Sequence, residues 1–509
     1  MLRPWDLQIV LERDGAMPAY LQIAHTLIDA IQRGRLPPGT VLPGTRKLAG
    51  QVGVNRKTIQ ESYDELVAQG WLTAEPTRGT FVSALLPAVP VESAPGLSAS
   101  REAAFSPRGL APDLDTRLPP AGTLVFDDGA PDTRLMPGDL VARAYRRALL
   151  QGSRNNRLGY GDPRGSLSLR VAVAEMLKAD RGLDCTPDNI CITRGSQMGI
   201  FLSARLLAGP GDAVALETLT YPPAREAFLG CGAEICSVAI DEQGMRMDAL
   251  EALCRTRPLR AVYVTPHHHF PTTAVLPPER RISLLALAER FGFVIIEDDY
   301  DHEFHFGRRP LLPLASAHGF GRLIYIGSLS KLLSPSLRIG YLVAAKTVIS
   351  RAAAEIMTID RQGDPVTEAA VAELMATGAL KNHARKALRV YAERRAFLAE
   401  ALRREFGASL EFTPPPGGLA LWVNFPDGLD GEALAKAGLR HGVALTQGRV
   451  FAANGEKVRG ARLGFGSMTP GELAEAVRRL RLAAGPGVPE ATDLPAPKRD
   501  TPYTSPPPG

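Results

Sequence analysis

The chain has 509 residues, 45% apolar and 22% charged, with 59 basic against 54 acidic side chains and a net charge of +5. Those proportions fit a soluble globular protein of two or more folded units, and so weak a net charge means that any nucleic-acid footprint must be local. No apolar run is long enough for a bilayer span, Met1-Leu2-Arg3-Pro4-Trp5-Asp6 lacks a signal-peptide core, and Cys185, Cys191, Cys231, Cys236 and Cys254 form no Cys-x-x-Cys pair; the expectation is a cytoplasmic chain with reduced thiols and neither a disulfide framework nor a zinc site.

In chain order, the first patterned unit runs over residues 10–83. From Tyr20 to Arg33, the residues Leu21, Ile23, Ala24, Leu27, Ile28 and Ile31 make one helical stripe, which Gly34 and the turn Pro37-Pro38-Gly39 end. Thr45 to Gln51 reads as a second helix, Gly53 as a turn, and Asn55 as the N-cap of a third helix ending near Gln69. Helix, tight turn, helix is the helix-turn-helix pattern. Arg46, Lys47, Arg56, Lys57 and Thr58 cluster at the two helix starts, and no acid lies between Pro43 and Gln60. Such helix ends suit phosphates and groove edges of double-stranded DNA. Gly70 to Ala74 and Arg78 to Val82 read as two short strands of a wing, with Arg78 and Gly79 at its tip. A basic cluster alone would fit a solvated helical cap; the complete order of elements favours DNA reading.

This unit resembles the GntR family of winged helix-turn-helix regulators over residues 18–83. The resemblance is carried by Leu36-Pro37-Pro38-Gly39, Leu42-Pro43-Gly44-Thr45-Arg46-Lys47-Leu48-Ala49, Val54-Asn55-Arg56-Lys57-Thr58, Leu66 to Leu72 and Arg78-Gly79-Thr80-Phe81-Val82. Gly44 and Asn55 stand where the family often has Ser. Residues 84–123 then turn to Ala, Pro and Ser without periodicity and read as a flexible linker.

From residue 124 to 484, short apolar runs alternate with helical patterns: Ala213–Leu216, Ala261–Val264, Phe293–Ile296 and Leu323–Ile326. This predicts an α/β unit with a mainly parallel sheet and helices on both faces. Glu297-Asp298-Asp299-Tyr300 follows one run; Ser328-Leu329-Ser330-Lys331 follows the next, with Arg338 seven residues on. Ligands of open α/β sheets bind beyond the carboxyl ends of strands. Pyridoxal 5′-phosphate needs an amine for its aldehyde, an anion at its pyridine nitrogen, a stacking partner and donors for its phosphate. Lys331 can form the Schiff base, its pKa lowered by a cation such as Arg338. Asp298 can face the ring nitrogen, Tyr300 the ring hydroxyl, and Tyr221 can stack on the ring. Gly195, Ser196 and Gln197 open a helix whose N-terminus suits phosphate, and Ser328, Ser330 and Arg338 add donors. Singly, each has a bland reading as a solvated lysine, a turn or a helix cap. Their order, each behind its own strand, is the signal.

The constellation resembles the fold-type I pyridoxal-phosphate proteins over residues 124–484, with Leu158-Gly159-Tyr160-Gly161-Asp162-Pro163-Arg164-Gly165 as a further match. The resemblance implies a transferase-like body with a smaller C-terminal α+β subdomain. It implies that Tyr160 reaches the partner's phosphate in a homodimer. It also implies that Arg462, in Arg462-Leu463-Gly464-Phe465, pairs with an amino-acid carboxylate. Thr265-Pro266-His267-His268-His269-Phe270-Pro271-Thr272-Thr273 departs from the Asn-Pro-Thr-Gly of aminotransferases, with His268 as the candidate to approach the ring instead and Thr273 in place of glycine. A metal is not expected on the three histidines, because adjacent side chains of an extended segment diverge. Residues 485–509 are Pro-rich and read as a disordered tail.

Head, linker and body together resemble the MocR subfamily of transcription regulators, with its GabR and PdxR types. That implies pyridoxal phosphate as cofactor and effector, with or without a small amino compound as a second ligand, a domain-swapped homodimer, and control of vitamin B6 or amino-compound genes. Two readings compete with it: an active aminotransferase tethered to DNA, and a constitutive DNA binder with a degenerate body.

Overall fold

The computed structural model describes residues 9–12, 17–86, 119–307, 311–426 and 429–485. Residues 87–118 of the expected linker and 486–509 of the expected tail lie outside the described residues. The chain divides into two compact units, residues 1–107 and 108–509.

The first unit holds α1 (Ala19–Gln32), α2 (Thr45–Val52), α3 (Arg56–Ala68) and the antiparallel pair β1 (Leu72–Glu75) and β2 (Gly79–Val82). Each helix follows from its stripe. Ile23, Leu27 and Ile31 of α1, Leu48 of α2, and Ile59 and Leu66 of α3 close one apolar core with Trp71. Each such side chain contributes about 1.5–3 kcal/mol on full burial. Gly53 ends α2 in the left-handed region at φ +75°, which a side chain would strain, and this sets the tight turn into α3. The wing has a third rung that the residue pattern does not announce. Leu42 N–H donates to the Thr80 carbonyl at 2.8 Å and Val82 N–H to the Thr40 carbonyl at 2.9 Å, so Thr40–Leu42 lies along β2.

In the second unit, β3 (Leu124–Phe126), α4 (Gly138–Arg154) and α5 (Leu167–Arg181) come first. The large sheet then takes β4 (Ile190–Thr193), followed by α6 (Gly195–Leu207), β5 (Ala213–Glu217) and β6 (Glu234–Val238). A small hairpin, β7 (Ile240–Asp241) and β8 (Gly244–Met245), precedes β9 (Ala261–Val264), β10 (Val294–Asp299), β11 (Leu323–Ser328) and β12 (Gly340–Val343). The order across the sheet is β4-β12-β11-β10-β9-β5-β6. All pairs are parallel except those of β12, which runs against both β11 and β4. Both faces are covered, which is why these strands read as unbroken apolar runs. Val262, Ile295 and Tyr325 belong to one core, and Tyr263, Ile296, Ile324 and Ile326 to the core on the other face. A four-stranded sheet completes the unit, with β13 (Ala420–Asn424), β14 (Val443–Gln447) and β15 (Gly460–Gly464) in the order β13-β15-β14-β3.

One boundary differs from the residue pattern. The strand expected to end at Ile296 runs on through Asp299. Glu297, Asp298 and Asp299 are therefore not a loop beyond the sheet but a pleated end whose side chains alternate between faces.

Candidate functional site

In the first unit, the Asn55 side chain accepts from the Lys57 N–H at 2.9 Å and starts α3. Arg56 Nε donates to Thr45 Oγ1 at 3.3 Å, joining the starts of the two helices. Arg46, Lys47, Arg56 and Lys57 are exposed, and Thr58 is half-buried. Lys57 has a loose surface partner in Glu61 at 3.7 Å, which competes weakly with a phosphate. At the wing tip, Arg78 and Gly79 are exposed; Arg78 reaches Glu75 at 3.1 Å and lies over the Phe81 ring at 5.5 Å.

In the second unit, the candidate cofactor residues gather at the carboxyl ends of the central strands. Asp298 shares its level and face with Ile326 of β11, against which α6 packs through Gly199. It is buried, and Tyr263 donates its hydroxyl to Asp298 Oδ2 at 2.7 Å. Burial pushes the Asp298 carboxyl up to about 7, against the Tyr263 hydrogen bond that lowers it. The adjacent negative charge of Asp299 adds to the rise, and the Lys331 cation opposes it.

Lys331 leaves the loop after β11. Leu329 N–H donates to the Ile339 carbonyl at 3.0 Å and Ser330 N–H to Ser328 Oγ at 3.1 Å, so the loop is pinned at both sides. Lys331 Nζ lies 4.6 Å from the centre of the Tyr300 ring. Burial draws its ammonium below the ordinary range; Asp128 opposes this and Arg462 adds to it. The cation responsible is thus Arg462 rather than Arg338, which is exposed and donates to the Arg194 carbonyl at 2.8 Å.

Arg338 also lies over the start of α6. Gly195 has φ +73°, and a Cβ there would sit 2.9 Å from the Arg338 guanidinium. Ser196 is half-buried beside it, and Gln197 Nε2 donates to the Pro223 carbonyl at 3.2 Å, next to Tyr221. Tyr221 meets Phe270 edge-on at 5.1 Å, and Phe270 meets Tyr300 at 6.0 Å.

Two assigned groups, Tyr300 and Arg462, are engaged otherwise than their expected roles require. The Tyr300 hydroxyl donates to the His268 carbonyl at 2.9 Å. Arg462 donates to the carbonyls of Asp128 at 2.8 Å and Pro271 at 2.7 Å, stacks on Phe270 at 4.6 Å and approaches the Tyr300 hydroxyl at 3.4 Å. Tyr160 is 83% exposed with Arg361 over its ring at 4.8 Å, so within one chain it stands apart from the pocket.

The three consecutive histidines turn to three different carboxylates. His267 Nδ1 is 3.7 Å from Asp299, His268 Nδ1 is 2.8 Å from Asp301, and His269 Nε2 is 3.3 Å from Glu217. Sequence reasoning missed Tyr263 and Asp301. The signal for Tyr263 was a phenol inside an aliphatic strand; Asp301 carried none beyond its place after Tyr300.

The comparisons with known proteins divide along the same line as the two units. Residues 19–82 match the family described as bacterial regulatory proteins, gntR family, and residues 129–480 match the family aminotransferase class I and II. Over nearly the whole length, the chain is 30% identical to the probable rhizopine catabolism regulatory protein MocR of Rhizobium meliloti, across 93% of this chain and 95% of that one. It is 32% identical to the HTH-type transcriptional regulator TauR of Rhodobacter capsulatus, across 91% and 96%. Among solved structures, the α-aminoadipate aminotransferase LysN of Thermus thermophilus superposes with a TM-score of 0.67 at 32% identity, over 72% of this chain and 92% of that one. Among the described residues, no helix is long and apolar enough to cross a membrane.

Proposed function

The chain belongs to the MocR-type transcription regulators, a gntR-family head joined to an aminotransferase class I and II body, and we propose that it senses pyridoxal 5′-phosphate, alone or with a small amino compound, and converts that occupancy into operator binding. We take residues 10–83 as the DNA-binding head, 84–123 as the connection, 124–484 as the sensing body and 485–509 as a tail. A DNA partner argues for a cytoplasmic location.

The residues present fit the cofactor. Asp298 Oδ1, Ser330 Oγ and Gln197 Oε1 are buried without a hydrogen-bond partner among the described residues, a cost that a polar ligand removes. When bound, the cofactor supplies an aldehyde that condenses with amines and a ring that withdraws electrons from them. Lys331 offers the amine, and its depressed proton affinity keeps more of it neutral. Asp298, with Oδ1 unpartnered, would hold a proton at the ring nitrogen. Tyr221 would stack on the ring face, Tyr300 and His268 would border it, and Gly195, Ser196, Gln197, Ser328, Ser330 and Arg338 would hold the phosphate. Tyr160 serves the phosphate of the partner in a domain-swapped homodimer, which accounts for its exposure. An amino acid's carboxylate would draw Arg462 from the Pro271 carbonyl and so disturb the loop Thr265–Thr273. That competition gives the effector a differential contact between two states, as a switch requires.

One observation carries this reading: a lysine packed on Tyr300, within the field of Asp298, in a chain whose head exposes four cations at two helix starts. The test is a titration of the full-length protein on its own upstream DNA with and without pyridoxal phosphate. The expected outcome is a cofactor-dependent shift in affinity that Lys331→Ala abolishes, together with its cofactor absorbance. An unchanged response in Lys331→Ala rejects sensing. Steady turnover of an amino acid with a keto acid at ordinary enzyme rates would instead assign the body to transamination.

A further inference from the structure

The pleated end of β10 carries a second constellation on the face opposite Asp298. Asp299 points to the side of Tyr325, whose hydroxyl donates to Asp299 Oδ2 at 2.5 Å. Arg181 approaches the same oxygen at 3.6 Å and is itself paired with Glu303. Both neighbours hold Oδ2 and leave Oδ1 free. His267 comes to it from the loop after β9, with Nδ1 3.7 Å from Oδ1. His302 comes from the turn after β10, with Nδ1 3.0 Å from Oδ2. The two imidazole rings are 4.6 Å apart between centres.

All three side chains are buried: His267 is 3% exposed, Asp299 1% and His302 7%. Yet His267 Nδ1 and Nε2 and Asp299 Oδ1 have no hydrogen-bond partner among the described residues, and His302 Nδ1, though 3.0 Å from Asp299 Oδ2, lacks the alignment of a hydrogen bond. Buried polar atoms are normally satisfied, and here several that lack a well-aligned partner belong to one small cluster of side chains. One donor atom from each of the three residues lies within 4.8 Å of the others. An ion about 2.0–2.2 Å from each donor would set neighbouring donors roughly 3.4 Å apart, a spacing that small side-chain rotations reach.

We propose that His267, Asp299 and His302 form a site for a divalent first-row transition ion such as zinc or cobalt, with a fourth position left for water. Two imidazole nitrogens and one carboxylate oxygen suit these ions and disfavour calcium and magnesium, which take oxygen donors. Tyr325 and Arg181 orient the carboxylate from behind, as groups around metal ligands do. The site keeps to the divergence expected of the histidine run, because only one of the three consecutive histidines takes part. It does not rest on the pyridoxal phosphate reading, since it occupies the other face of the strand.

The test is a Co²⁺ titration of untagged, full-length, cofactor-free protein, followed by visible absorption, with Zn²⁺ added afterwards. The expected result is one Co²⁺ per chain in a low-coordination spectrum that Zn²⁺ removes. His267→Ser and His302→Ser each weaken binding by about tenfold or more, and Tyr325→Phe by roughly 10–100-fold. His269→Gln, which faces Glu217, leaves it unchanged. If His267→Ser loses the parent's melting transition, His302→Ser, the more exposed ligand, carries the result. No uptake of Co²⁺, or uptake undiminished in a folded His302→Ser protein, overturns the site and leaves the cluster as an ion pair.

Discussion

Lys331 sits among charges that reach it from distant parts of the chain. After burial, Asp128 before α4 raises its proton affinity and Arg462 on β15 lowers it. Removing either partner therefore moves the titration in a known direction. Arg462→Gln removes a cation, favours the ammonium and shifts the pH midpoint for covalent capture of pyridoxal phosphate upward. Asp128→Asn removes an anion and shifts it downward, while the carbonyl that Arg462 uses stays in place. Capture rates followed by absorbance across pH check both signs; shifts of the same sign would contradict the arrangement. The candidate residue types stood out in the sequence because most lie at or just after the carboxyl end of an apolar run, as Asp298 and Lys331 do. The choice of cation was not. Arg338 is near in sequence, but proximity to the amine is decided by how β15 packs, and local pattern carries no trace of it.

At the level of elements, the loop Thr265–Thr273 stores strain. Thr273 has φ +63°, a conformation unfavourable for a β-branched residue, and its N–H donates to the His269 carbonyl at 2.6 Å. Thr273→Gly relieves that conformation and is expected to raise the unfolding free energy of the body by about 1 kcal/mol, read by denaturant titration. Thr273 stands in place of the glycine of the aminotransferase pattern, and its left-handed backbone is one that glycine adopts without strain. Helices and strands were legible to within a residue or two wherever the period was clean, as in α1, α3, β9 and β11. The extension of β10 through Asp299 was not, because acidic residues look like a loop until a neighbouring strand pairs with them. The reversed direction of β12 and the rung Thr40–Leu42 were hidden for the same reason: both are made by pairing across long separations.

For the whole molecule, the exposed cations of the head set the DNA prediction. Charge reversal by Arg56→Glu with Lys57→Glu should abolish operator binding while leaving cofactor absorbance intact. The parent's affinity should fall steeply with salt as phosphate contacts release counterions. Binding that survives the double reversal would place the DNA surface elsewhere; loss of absorbance as well would indicate misfolding. The order of head and body was legible from motif order alone, since each motif is local.

The body begins with β3, the first strand after the stretch that leads from the head. It is zipped in parallel to β14 through Leu124, Val125 and Phe126, and β14 in turn pairs Thr446 with Arg462 of β15. The tether is thus moored to the same sheet that bears the guanidinium. Leu124 and Arg462 stand two strands apart in one sheet, joined through β14, so the strand that opens the body and the guanidinium beside Lys331 share one hydrogen-bonded frame.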